Sequence, residues 1–172
     1  MSVLGELQPN KVFQYFEEIC AIPHGSRNLQ QISDYLVDFA KAHGLKYRQD
    51  EDLNVIIWKD GSKGYEASEP VILQGHMDMV AVKEADCDKD MEKEGLDLEI
   101  NGDYISAKGT SLGGDDGIAV AYTLAVLDDE EMAHPPIEAI FTVNEEIGML
   151  GAATIDVSDL KGRLFMNMDS ED

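Results

Sequence analysis

The sequence predicts an α/β fold with a mainly parallel sheet flanked by helices. Short apolar runs bounded by turn residues read as buried strands: Val71-Ile72-Leu73-Gln74, Ile137 to Val143 and Leu164-Phe165-Met166. Helical stretches lie between them, from about Ile118 to Leu127 and around Ile147 to Ala153. Strands alternating with helices are the pattern of parallel strands joined by crossovers. At 172 residues, 44% of them apolar, the chain has the size and composition of one globular domain.

In chain order, Pro9 opens a periodic stretch with Val12, Phe13, Phe16, Ile19 and Cys20 on one helical face. Pro23 to Arg27 form a loop. Asn28 is the N-cap expected for a second helix, which turns Ile32, Leu36, Phe39 and Ala40 inward and stops at Gly44. Leu45 to Arg48 and Leu53 to Trp58 then read as strands joined by an acidic turn. Glu84 to Asp103 carries nine acidic and two basic residues and reads as a solvated face. A Gly-rich turn between Ser106 and Gly117 precedes the Ile118 helix.

The net charge is −22, so phosphate backbones and anionic lipid surfaces are repelled and cations are the natural partners. The longest apolar run, Ile118 to Tyr122, is five residues, far short of a membrane span. No basic residue precedes Lys11, so no secretory signal is read, and the cytoplasm is the expected compartment. Cys20 and Cys87 stand in unrelated contexts and suggest neither a disulfide framework nor a zinc knuckle.

In open α/β sheets, ligands bind beyond the carboxyl ends of the strands. There the sequence places Gly75-His76-Met77-Asp78, Asn144-Glu145-Glu146 and Asp169-Ser170-Glu171, with Asp115-Asp116 in the Gly-rich turn. Carboxylates gathered at one edge repel unless a cation neutralises them, so one or two divalent metals are expected. His24, His43 and His134 read as surface or structural residues. His76 differs, because Asp78 two residues on can orient its ring. Met77, Met79, Met149, Met166 and Met168 read as packing residues.

Four segments, Gly75 to Val80, Ala107 to Ala119, Thr142 to Ala152 and Asn167 to Asp172, together resemble the M20 metallopeptidase family. Within it the likeness is to the aminoacyl-histidine dipeptidase branch, which the Ile22-Pro23-His24 loop and the Lys108-Gly109-Thr110 lead-in also resemble. The resemblance implies a zinc-peptidase-like catalytic domain with two zinc ions at the strand ends of the intact enzyme. It implies His76, Asp115, Glu146 and Asp169 as metal ligands, with Asp115 bridging. Asp78 matches the carboxylate that orients His76, and Glu145 the general base that activates water for hydrolysis of Xaa-His and other dipeptides. It also implies a cis peptide between Asp115 and Asp116.

Gly114 stands where the branch has Ala, and Asp116 where it has Asn. Members of the family are also longer. The resemblance implies that residues 1–172 are the N-terminal part of the catalytic domain, without the lid and dimerisation domain or the C-terminal return that brings a second histidine. One tight zinc site, His76 with Asp115 and Asp169, and feeble or no activity are therefore expected of this chain, and homodimer contacts of the intact enzyme lie largely in the missing lid. Three alternatives are weighed: another M20 peptidase such as a tripeptidase or deacylase, a non-catalytic metal-binding or interaction domain, and a calcium module. For the last, Asp86, Asp88 and Asp90 copy the first EF-hand ligand positions, but Met91 replaces the needed Gly and Asp97 the bidentate Glu.

Overall fold

A computed structural model describes residues 2–169. Among the described residues four helices, α1 (Asn10–Cys20), α2 (Gln30–Ala42), α3 (Gly114–Asp128) and α4 (Leu150–Thr154), accompany seven strands. These are β1 (Lys46–Gln49), β2 (Val55–Lys59), β3 (Val71–His76), β4 (Leu98–Asn101), β5 (Tyr104–Ala107), β6 (Ile137–Thr142) and β7 (Leu164–Asn167). Five form one sheet in the order β1-β2-β6-β3-β7, and β4 with β5 forms a separate hairpin. β3 runs parallel to both β6 and β7, so three strand ends point the same way. The β1–β2 and β2–β6 pairs are antiparallel.

Strand alternation divides the apolar side chains between two faces. On one face Val55, Ile57, Ala139 and Phe141 meet α1 (Phe16, Ile19) and α3 (Val120, Leu124) in the main core. On the other, Ile56, Ile72 and Ile140 form a small cluster with Trp58, Ile155 and Leu160. Burial therefore anchors the site-bearing strands from one side far more than from the other. Among the described residues no helix is long and apolar enough to cross a membrane.

Several local expectations are corrected. α2 is capped by Leu29 with no side-chain bond, because Asn28 Nδ2 instead donates to the Glu92 carbonyl. The acidic run is not solvated loop throughout: Leu98 and Ala107 are buried where β4 pairs with β5. Its two-residue turn is Gly102-Asp103, a Gly-first hairpin loop, and Gly102 has φ +61°. β7 is exposed rather than buried, since it is an edge strand with β3 on one side. Met149 and Met166 are exposed too, unlike Met77 and Met79, which pack in the interior. The α4 helix is shorter than predicted and starts at Leu150.

Candidate metal centre

β3 ends in Gly75-His76, and its ladder to β6 continues as Met77 N–H donates to the Thr142 carbonyl at 2.9 Å. This holds the backbone on both sides of His76. The His76 side chain is 1% exposed. Its Nδ1 lies 2.9 Å from the Asp78 main-chain carbonyl and 3.5 Å from Asp78 Oδ1. In the neutral imidazole, a proton on Nδ1 directed at that carbonyl leaves Nε2 with its lone pair facing outward. Nε2 lies 3.2 Å from Asp115 Oδ1 and 3.8 Å from Glu145 Oε2. The ring is thus oriented first by the main chain of Asp78 and only then by its carboxylate.

Asp115 reaches the centre from the front of α3. Gly113 caps that helix in the left-handed region at φ +67°, and Asp115 and Asp116 depart from helical geometry before the regular turns begin. The Asp115-Asp116 peptide is cis, as the resemblance implies. The two side chains diverge. Asp115 is exposed and faces His76, whereas Asp116 is buried and its Oδ2 accepts from the His76 main-chain N–H at 3.1 Å. A Cβ on Gly75 would stand 2.7 Å from that same oxygen, so glycine is what lets Asp116 tuck beneath the strand end.

Glu145 and Glu146 follow β6. The turn begins at Asn144, in the left-handed region at φ +53°, and Glu145 N–H donates to Asp78 Oδ1 at 2.9 Å. Ligand atoms of His76, Asp115 and Glu146 all lie within 4.8 Å of one another. This is the one such group among the described residues, and it includes neither Asp169 nor Asp86, Asp88 and Asp90. Asp90 instead pairs with Lys93 at 2.8 Å, and Asp97 with Lys89 at 3.2 Å. Asp169 follows β7 on the same edge of the sheet and lines, with Glu145, Met149, Phe165 and Asn167, a cavity of about 250 Å³. Ser170, Glu171 and Asp172, which close the last motif, lie outside the described residues.

The electrostatics fit a cation. Burial opposes charging of His76, but Asp78, Asp116 and Glu145 overcome it and push its pKa up to about 9. Burial, helped by Asp169 and Asp115, pushes Asp116 up to about 7. Glu145 and Glu146 are also raised, by burial first and then by neighbouring carboxylates. Ligands around one zinc at about 2.0–2.2 Å stand roughly 3.4 Å apart. The 3.2 Å separation of His76 Nε2 and Asp115 Oδ1 already meets that spacing. One imidazole and two carboxylates can therefore hold a divalent metal with small side-chain movements.

Known proteins resemble this chain in sequence and fold. No protein-family model matches the chain. The cytosol non-specific dipeptidase of Escherichia coli (strain K12) is 40% identical over all 172 residues, which cover 36% of that protein. The crystal structure of aminoacylhistidine dipeptidase from Vibrio alginolyticus, also 40% identical, superposes with a TM-score of 0.94 over 98% of this chain and 34% of its own. This chain is a homologue of these dipeptidases. The homologue spans about a third of their length. A Staphylococcus aureus tripeptidase, at 23% identity and a TM-score of 0.78 over 98% of this chain and 45% of its own, shares the fold.

Two residues at the centre escaped sequence reasoning. Asp116 was legible only as an added charge, and nothing local marked its buried turn toward the His76 backbone. Ser26, whose Oγ donates to Asp78 Oδ2 at 2.7 Å, lies 52 positions away in sequence.

Proposed function

We propose that residues 1–172 are the N-terminal part of the catalytic domain of an M20-type zinc dipeptidase. The observation that carries the reading is the His76, Asp115 and Glu146 group at the carboxyl ends of parallel strands. The dipeptidase relatives, 40% identical, support peptide as substrate, and the cytosolic name of one supports the cytoplasm as compartment. Xaa-His specificity, and the homodimer of the intact enzyme, rest on the resemblance to the aminoacyl-histidine dipeptidase branch.

In this reading His76, Asp115, Glu146 and Asp169 are the residues that would hold zinc. Bound zinc supplies Lewis acidity, polarising a carbonyl oxygen and acidifying water. Glu145 is the general base. Its carboxylate lies 3.8 Å from His76 Nε2, and its main chain is tied to Asp78. Glu145 takes a proton from the attacking water as the new C–O bond forms. It then delivers that proton to the amine nitrogen as the C–N bond breaks. The raised pKa of Glu145 suits both halves of this transfer.

Zinc titration of the chain, with metal analysis after dialysis, tests the reading. One tightly held zinc is expected, lost in His76→Ala and kept in Glu145→Ala. Unchanged zinc content in His76→Ala would overturn the ligand assignment, and loss of zinc in Glu145→Ala would make Glu145 a ligand. Turnover of Xaa-His dipeptides by this chain is expected to be feeble beside that of an intact relative.

A further inference from the structure

The loop between α1 and α2 runs behind the centre, far from it in sequence. Gly25 forms a parallel bridge with Met79, joined by Met79 N–H to the His24 carbonyl and Ser26 N–H to the Met79 carbonyl, each 3.2 Å. A Cβ on Gly25 would stand 2.6 Å from the Ala81 Cβ, so the two backbones are in close contact. This bridge sets Ser26 beside Asp78, and Ser26 Oγ donates to Asp78 Oδ2 at 2.7 Å. One residue on, Arg27 sits in the left-handed region at φ +73°, and its N–H donates to Asn144 Oδ1 at 2.8 Å. The loop therefore grips two strand ends at once, after β3 and after β6.

Asp78 is the hub of this arrangement. It is 1% exposed, and its two oxygens have separate tasks. Oδ2 accepts from Ser26, while Oδ1 accepts from Glu145 N–H at 2.9 Å and faces His76 Nδ1 at 3.5 Å. A carboxylate held at only one oxygen can rotate about its Cβ–Cγ bond, and hydrogen bonds to a charged oxygen are among the stronger ones. With Ser26 fixing Oδ2, Oδ1 is held where it meets the Glu145 main chain.

We propose that Ser26 is a positioning residue: through Asp78 it fixes the Glu145 main chain and the His76 ring, so the α1–α2 loop is a working part of the centre. The role in catalysis rests on the peptidase reading, whereas the positioning itself does not. Asp78→Ala would leave a buried cavity and unpaired donors; Ser26→Ala removes one hydroxyl from a half-buried site and is the cleaner variant.

The test is amide hydrogen exchange of the metal-free chain, followed residue by residue by NMR, for the parent, Ser26→Ala and Ser26→Thr. In Ser26→Ala the Glu145 amide is expected to exchange roughly tenfold faster or more. Ser26→Thr, which keeps the hydroxyl, restores protection, and amides of the α1–α3 core stay at parental rates. Unchanged exchange at Glu145 in Ser26→Ala would overturn the proposal, as would equal acceleration across the core, which marks general loosening. Cobalt titration of the same three proteins, read by visible absorption, separates the two readings. Weaker binding in Ser26→Ala alone supports the positioning of His76, and equal binding in all three overturns it. A parent that takes up no cobalt overturns the metal reading of the centre, while the exchange result still decides the role of Ser26.

Discussion

On the β3 flank of the centre, His76 and Asp78 are each 1% exposed, and Asp78 accepts from both Ser26 and the Glu145 main chain. On the β7 flank the strand leading to Asp169 leaves Leu164, Phe165 and Met166 60%, 54% and 47% exposed. Both flanks supply a metal ligand to the proposed set, yet only the first is embedded in the core that α1 and α3 form over the sheet. The second pairs with β3 alone, Val71–Gln74 against Leu164–Asn167, where Asn167 Nδ2 also donates to Gln74 Oε1. The difference shows that one end of a sheet can present carboxylates and an imidazole from strands buried to unequal degrees. His76 sits in the buried interior, whereas the strand that leads to Asp169 lies at the edge of the sheet.

The largest expected effect breaks this comparison outright if it fails. Phe141 in β6 is fully buried, and Phe141→Ala should cost about 3–5 kcal/mol of stability. Phe165→Ala in β7 removes a ring of the same size from a half-exposed position and should cost less than about 1 kcal/mol. Urea unfolding of both variants gives the two numbers. Equal losses would show that β7 is covered in solution and that the flanks do not differ.

Two glycines sharpen the same contrast at the scale of a methyl group. A Cβ at Gly75 meets Asp116 Oδ2 at 2.7 Å and the Ala119 Cβ at 3.2 Å, so Gly75→Ala should cost roughly 1–3 kcal/mol. Gly114 lies at the half-buried front of α3, where the nearest atom to a new Cβ is Leu112 Cδ2 at 3.8 Å. Gly114→Ala should therefore change stability by less than about 0.5 kcal/mol. A harmless Gly75→Ala, measured by thermal unfolding, would mean that Asp116 does not pack under the strand end as tightly as its contacts indicate.

The same two flanks explain what sequence reading reached. Apolar runs gave β3 and β6 because those strands are buried, and burial is what composition records. The same logic failed for β7, where an apolar run lies on an exposed edge. β4 and β5 were hidden by Asp97, Glu99 and Asp103, although Leu98, Ile100, Ile105 and the Gly102-Asp103 turn carried the hairpin signal. At the centre, the sequence placed His76, Asp115, Glu145 and Glu146 at strand or helix ends, while their separate roles came from the family resemblance; the structure brings His76, Asp115 and Glu146 together. Ser26 was not legible, since its neighbour Asp78 is supplied by the Gly25–Met79 bridge, a contact between distant segments. The contact of Asp116 with the His76 backbone is hidden for the same reason.

The smallest expected effect concerns the loop that backs the buried flank. His24 is 2% exposed, and its Nδ1 lies 2.6 Å from the Ile22 carbonyl. Burial lowers its pKa below the ordinary value of 6.5, against the opposing pull of that carbonyl and of Asp78. The unfolded chain therefore binds this proton at a higher pH than the folded one. The stability contributed by neutral His24 is complete above pH 6.5 and is lost as pH falls through 6.5 toward the lower native value. His76 and Asp116 also titrate, so the informative quantity is the difference between the parent and His24→Gln across pH. Urea midpoints measured from about pH 7.5 down to about pH 5.5 should fall more steeply for the parent than for the variant, which has no imidazole to charge. Parallel curves would mean that His24 takes up its proton in the folded loop as readily as in the unfolded chain, and that the backing of the β3 flank is open to water.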